Sequence, residues 1–205
     1  MKICGVTIAE EAAACVELGA NAIGVNFVAS SNRVVSVQRA REISRAVGAR
    51  ALVVGVVANL DVAAMNALAN EAELGCLQLH GDETPETLAA MLPHAYKAVR
   101  VAAEVDVAGA AAFSGDYILV DAKVPGVLGG TGVSFDWSLV RDLARARKLT
   151  LAGGLTKDNV AEAVRIVRPY CVDVSSGVER DGGPPGGKDL AKVRTFIDRA
   201  RGASS

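Results

Sequence analysis

Short apolar runs rich in valine alternate with longer amphipathic segments about eight times along the chain. The runs predict strands at residues 2–4, 22–27, 51–57, 76–79, 96–101, 117–120, 150–152 and 171–174. The segments between them predict helices at 8–18, 37–47, 61–73, 84–92, 105–112, 138–148, 157–167 and 189–201. Alanine-rich helices and valine-rich strands agree with those elements. Regular strand–helix alternation argues for an α/β fold with a parallel sheet. Eight repeats in 205 residues fit a compact (β/α)8 TIM barrel, a single domain over residues 1–205.

Local signals mark the helix ends. Thr7 precedes Glu10 as a possible capping box, and Pro85 follows Thr84 as a first-turn proline. Gly19, Gly48 and Gly75 fall where helices should stop. The Pro184-Pro185-Gly186-Gly187 stretch reads as a loop inside the last unit rather than a domain boundary.

Strand alternation sorts side chains by face. In the fourth strand Leu77 and Leu79 should face the helices, so Gln78 and His80 point into the barrel. The same parity turns Cys4, Arg100, Asp121 and Asp173 inward and Lys97 outward. Polar groups from five strands thus converge near the carboxyl ends, where barrel enzymes keep their chemistry.

Three glycine-rich turns follow the last three strands. Asp121 leads to Gly129-Gly130-Thr131-Gly132; the seventh strand runs into Gly153-Gly154; the eighth runs into Ser175-Ser176-Gly177. Small turns before helices let backbone N–H groups approach an anion. In a barrel the loops after strands seven and eight hold phosphate. The substrate is therefore expected to be a phosphorylated small molecule.

Charge and composition narrow the alternatives. The net charge is −1 with no long basic stripe, and aromatics make up 4%, which argues against nucleic acid as a partner. No apolar run reaches membrane-spanning length, so no membrane partner is expected. The opening Met-Lys-Ile-Cys-Gly reads directly as a strand without room for a signal peptide. The four cysteines form no CxxC pair, which favours reduced thiols in a cytoplasmic protein.

These motifs, in order, carry a resemblance. Lys2-Ile-Cys-Gly-Val-Thr7, Gln78-Leu-His-Gly81, Asp121 with Gly129–Gly132 and Phe135-Asp-Trp137 come first. Ala152-Gly-Gly-Leu155, Asn159-Val160, Val172-Asp-Val-Ser-Ser-Gly-Val-Glu179 and Lys188-Asp189 follow. Together they resemble the phosphoribosylanthranilate isomerase family over almost the whole chain. The resemblance implies a (β/α)8 barrel of tryptophan biosynthesis that performs an Amadori rearrangement of N-(5-phosphoribosyl)anthranilate. It implies no metal or organic cofactor. It places the general base at Cys4 and the general acid at Asp121. Arg33 falls where the family grips the anthranilate carboxylate, although Ser30-Ser31-Asn32-Arg33 lacks the usual proline. Phosphate contacts map to Gly153, Gly154, Ser176 and Gly177, and Asp173 maps beside the ribose. His80 is a further candidate substrate contact. The Arg180–Gly187 stretch departs from the family's short link and is expected to lengthen a surface loop.

The chemistry suits those residue types. Ring opening needs a proton delivered to the furanose oxygen, so an aspartic acid must hold one until then. Loss of the C2 proton needs a base, and a cysteine must gain thiolate character from an ordinary pKa of about 8.5.

Structural readings stand beside the functional ones. A small buried apolar residue is the alternative reading of Cys4, and a cap on its turn that of Asp121. Arg33 and Arg100 have ion-pair alternatives, and His80 and Asp173 have positioning ones. Asp136 is expected to cap the sixth helix, and Cys15, Cys76 and Cys171 to pack. Among other functions, a histidine-pathway aldose–ketose isomerase would carry an aspartate at Cys4. A histidine-rich metal centre cannot be built from two histidines. An indole-forming synthase would need catalytic lysines on its strands. A phosphate-binding barrel without turnover is the non-catalytic alternative. Monomer and homodimer both remain open.

Overall fold

In the computed structural model, which describes residues 1–122 and 136–203, eight parallel strands close into a barrel in chain order. They are β1 (Lys2–Ile3), β2 (Ala22–Asn26), β3 (Leu52–Val57), β4 (Cys76–Leu79), β5 (Ala95–Val101), β6 (Tyr117–Ala122), β7 (Lys148–Leu151) and β8 (Cys171–Val174). The helices between and after them are α1 (Ala9–Glu17), α2 (Val37–Val47), α3 (Val62–Glu71), α4 (Pro85–Met91), α5 (Glu104–Gly109), α6 (Arg141–Ala146), α7 (Val160–Val167) and α8 (Leu190–Ala203). The predicted loop at 129–132 and Phe135 lie outside the described residues.

Apolar spacing explains how the helices cover the sheet. α7 buries Val160, Ala163, Val164 and Val167, and α8 buries Val193, Phe196, Ile197 and Ala200. Both sets follow the i, i+3, i+4, i+7 stripe of a helix with one face on a core. Ser36 caps α2, Asp61 caps α3 and Thr84 caps α4, each accepting from a backbone N–H in the first turn. A thin layer of Ala98, Leu119 and Ala152, flanked by Tyr96, fills the barrel interior.

Several boundaries differ from the sequence reading for identifiable reasons. The Thr7 capping box does not form: α1 starts at Ala9, with Ile8 as its cap and no side-chain bond. Thr7 is drawn instead against Gly186, where an added Cβ would come 2.5 Å from its Cγ2. Gly75 does not end α3; Glu73 takes the left-handed conformation at φ 55. Gly75 makes room for the Leu52 side chain, 2.5 Å from where a Cβ would sit.

The sixth helix is shorter than expected. A 3-10 turn over Trp137–Val140 precedes it, and Asp136 caps that turn by accepting from Ser138 N–H. Arg147 leaves the helix because its guanidinium donates to carbonyls of Ala110, Phe113, Ser114, Gly115 and Tyr117. The chain then enters β7 two residues early and leaves it before Ala152, at the positive φ of Gly153. α7 begins three residues late because Asn159 ties the preceding turn, accepting from Thr156 N–H and donating to Gly154 O. The 180–187 loop is only partly a surface loop: residues 181–185 are exposed, whereas Gly186 and Gly187 are buried.

Candidate active site

A cavity of about 390 Å³ opens at the carboxyl ends of the strands. Cys4, Arg33, His80, Asp121, Gly153, Gly154, Asp173 and Ser176 all line it. Eight of the nine expected site residues therefore converge. Gly177 does not line the cavity; it packs against the backbone of Leu155 and Thr156, where a Cβ would collide with the Leu155 carbonyl oxygen. Its part is to let the turn after β8 close onto the turn after β7. Gly153 and Gly154 adopt φ 88 and 65, a conformation that side-chain-bearing residues rarely take.

Strand register builds the floor. Lys2 lies opposite Asp173 across β1 and β8, and both side chains point inward. Lys2 Nζ donates to Asp173 Oδ2 at 2.6 Å, to Gln78 Oε1 at 2.8 Å and to Cys4 Sγ at 3.2 Å. Those contacts use all three hydrogens of the ammonium. Burial opposes the Lys2 charge, but the neighbouring Asp173 carboxylate outweighs it and holds the pKa well above the usual lysine value. Lys2 is therefore a fixed cation and not a base or a carbonyl-attacking amine.

Cys4 sits between opposing influences. Burial and the Asp173 charge push its thiol up, while Lys2 and Lys188 pull it down, with a net rise. The resting group at neutral pH is a thiol with an ammonium beside it. Gln78 lies opposite Tyr96 across β4 and β5. Its Oε1 also accepts from the Tyr96 hydroxyl at 3.0 Å, and its amide nitrogen meets His80 Nδ1 at 2.8 Å. His80 Nε2 faces Asp121 Oδ2 at 3.4 Å.

Arg33 reaches the cavity from the loop after β2. Its Nε and Nη2 make a two-point contact with Glu179, at 2.6 and 3.0 Å. Glu179 also accepts from Lys188 Nζ at 3.2 Å and from Gly186 N–H at 3.1 Å. Burial works to raise the Glu179 carboxyl, but Arg33 and Lys188 overcome it and hold the pKa at about 2. This ion pair, together with Gly186, fixes the Arg33 loop without a proline in it. Arg100 is turned inward as expected yet ends at the rim, donating to Asp82 Oδ1 at 2.6 Å outside the cavity wall. Lys97 points outward and is buried against Glu83 at 3.0 Å.

Sequence reasoning passed over Lys2, Tyr96, Glu179 and Lys188 as site-forming residues. Lys2 had a signal, since it shares Cys4's face two positions away. Glu179 and Lys188 stand in the resembling motifs, but their meeting with Arg33 depends on loop packing that no local pattern reveals. Among the described residues no group of three or more His, Cys, Asp or Glu is placed to hold a metal ion, and no helix is long and apolar enough to cross a membrane.

The family model described as N-(5'phosphoribosyl)anthranilate (PRA) isomerase matches residues 1–199. The chain belongs to the phosphoribosylanthranilate isomerase family. An N-(5'-phosphoribosyl)anthranilate isomerase of Pseudomonas aeruginosa (strain LESB58) is 47% identical over 204 residues, covering 98% of this chain and 94% of the relative. The crystal structure of phosphoribosyl anthranilate isomerase from Thermotoga maritima aligns with a TM-score of 0.88 at 39% identity, covering 98% of each chain. A further isomerase structure holds reduced 1-(o-carboxyphenylamino)-1-deoxyribulose 5-phosphate; it aligns with a TM-score of 0.85 at 38% identity, over 98% of this chain and 97% of that one. The family's eight-stranded barrel is the fold of this chain.

Proposed function

We propose that this chain isomerises N-(5-phosphoribosyl)anthranilate to 1-(o-carboxyphenylamino)-1-deoxyribulose 5-phosphate in tryptophan biosynthesis, with Asp121 as general acid and Cys4 as general base. The observation that carries the reading is the cavity itself, with Cys4 and Asp121 both in a wall that runs into the glycine turns after β7 and β8.

The substrate phosphate docks on the Gly153–Gly154 and Ser176 turns, whose backbone can approach closely. Asp121 delivers its proton to the furanose oxygen, the C1–O bond breaks, and the aryl nitrogen forms an imine with C1. Cys4, as thiolate, removes the C2 proton, and the electrons flow towards the imine nitrogen. The resulting enolamine becomes the ketose when C1 gains a proton and the C2 hydroxyl gives up its own to solvent. Lys2 steadies the Cys4 thiolate through its Nζ contact. Asp173 has Oδ2 held by Lys2, and its buried Oδ1 makes no hydrogen bond among the described residues, so it accepts a ribose hydroxyl. Arg33 holds the anthranilate carboxylate with the guanidinium edge turned from Glu179. The catalytic pair comes from one chain, so a monomer suffices, and the cytoplasm is its place of action.

The test is loss of anthranilate fluorescence from freshly made substrate. Cys4→Ala and Asp121→Asn should each slow turnover by ~10²–10⁴-fold, the usual scale of general acid–base catalysis. Wild-type turnover no faster than spontaneous breakdown would reject the reaction, and a fully active variant would reject that residue's role.

A further inference from the structure

The two halves of the site are joined by one amide. Gln78 is buried, as are Lys2, His80, Asp121 and Asp173 around it. Its Oε1 receives the Lys2 ammonium at 2.8 Å and the Tyr96 hydroxyl at 3.0 Å. An ammonium can only donate, so the amide oxygen must face it. The reversed amide would set N–H against N–H at Lys2. The amide nitrogen is thereby fixed towards His80 Nδ1, at 2.8 Å.

An amide nitrogen only donates, so Nδ1 must accept. The His80 ring is then neutral, with its proton on Nε2, and Nε2 is the atom that faces Asp121 Oδ2 at 3.4 Å. This tautomer has a chemical consequence. With Nε2 already protonated and Nδ1 occupied, His80 cannot draw off the proton that Asp121 must save for the furanose oxygen. Nε2 is buried and makes no hydrogen bond among the described residues, so once Asp121 has given that proton away its new carboxylate has an unspent N–H donor 3.4 Å away. The opposite tautomer would present a lone pair to Asp121, which quenches the acid before reaction and repels the carboxylate after it.

We propose that Gln78 is a positioning residue that locks His80 as the Nε2–H tautomer aimed at Asp121, while the same amide anchors Lys2 beside Cys4 and Asp173. The proposal rests on the acid role given to Asp121 above. A single buried amide thus orders the acid side and the base side together.

Gln78→Glu isolates the amide proton donor. One carboxylate oxygen still accepts from Lys2 and Tyr96, whereas the other demands a proton from His80 Nδ1. Long-range proton–nitrogen spectra of histidine-labelled protein, without substrate, read the tautomer directly. The chain has only two histidines, and His94→Gln assigns the second set of signals. In the wild type, His80 should show a bare Nδ1 and a protonated Nε2. In Gln78→Glu, Nδ1 should be protonated, with kcat lower by roughly 10²-fold and KM changed much less. Gln78→Met, which removes both halves of the amide, should lower kcat at least as far.

A wild-type ring protonated on Nδ1 overturns the proposal. So does a Gln78→Glu protein with the wild-type nitrogen pattern or the wild-type kcat. A Gln78→Glu protein that does not fold leaves the wild-type spectrum and Gln78→Met to decide. Full activity in Asp121→Asn would instead remove the acid role, with the tautomer spectrum unaffected.

Discussion

At the scale of single residues, the site works by surrounding ionisable groups with unequal neighbours. Cys4 has burial and Asp173 against it and Lys2 and Lys188 for it, and the balance leaves the thiol above its ordinary pKa of about 8.5. A base that is mostly protonated at neutral pH gains active form as pH rises. The expected kcat/KM therefore climbs from pH 7 into the alkaline range, and a profile flat from pH 7 to 9 would contradict the thiolate base. Lys2→Met removes the nearest cation, so the rising limb should move to higher pH. The same substitution leaves Asp173 buried without its partner, a loss of about 3–5 kcal/mol on the usual scale for broken buried pairs. Denaturant unfolding would measure it.

Cys4, Asp121, His80 and Asp173 were legible in the sequence because strand parity is enough to point a side chain inward. Arg33 was legible by motif, but its clamp was not. Glu179 lies 146 positions away, and only the folded loops bring the pair together.

At the scale of elements, close approach decides where glycine is required. β1 and β2 pack so tightly at Gly24 that a Cβ there would lie 2.6 Å from Cys4 Sγ and 3.1 Å from the Cys4 Cα. The sulfur can move only by leaving Lys2, and the backbone contact remains. Gly24→Ala should therefore cut kcat by tenfold or more while phosphate affinity changes little, since the phosphate turns are built by β7 and β8. Steady-state kinetics with inorganic phosphate as competing inhibitor would separate the two effects. Equal activity in Gly24→Ala would show that the Cys4 position is not critical.

Helix existence and most strand positions followed from apolar spacing, and α2 and β4 match the expected bounds residue for residue. Their ends depend on interactions without local pattern. Arg147 shortens α6 by gathering carbonyls from the preceding loop, and Asn159 delays α7 by bonding its own turn. Sequence period cannot reveal either, because the partners are backbone groups.

At the scale of the molecule, the barrel is closed by ion pairs as well as by apolar layers. Lys2–Asp173 joins the first and last strands, and Arg33–Glu179–Lys188 ties the second loop to the eighth. Glu179 has its pKa held at about 2, below the unfolded value of about 4.3. A depressed carboxyl contributes stability that is fully present above the unfolded value and is lost as pH falls towards the folded one. Stability should therefore drop between pH 4.3 and about 2, and Glu179→Gln should flatten that part of the curve. Thermal or urea unfolding across pH 5 to 2 would show the difference; parallel curves for the two proteins would deny Glu179 this role.

In the proposed division of labour, Asp121 opens the ring and Cys4 takes the C2 proton. Substrate deuterated at C2 tests it most directly, by the isotope effect on turnover in Cys4→Ser and Asp121→Asn. Slowed proton removal in Cys4→Ser should express a large primary effect, whereas slowed ring opening in Asp121→Asn should suppress it towards unity. A large effect in Asp121→Asn together with none in Cys4→Ser would reverse the two roles.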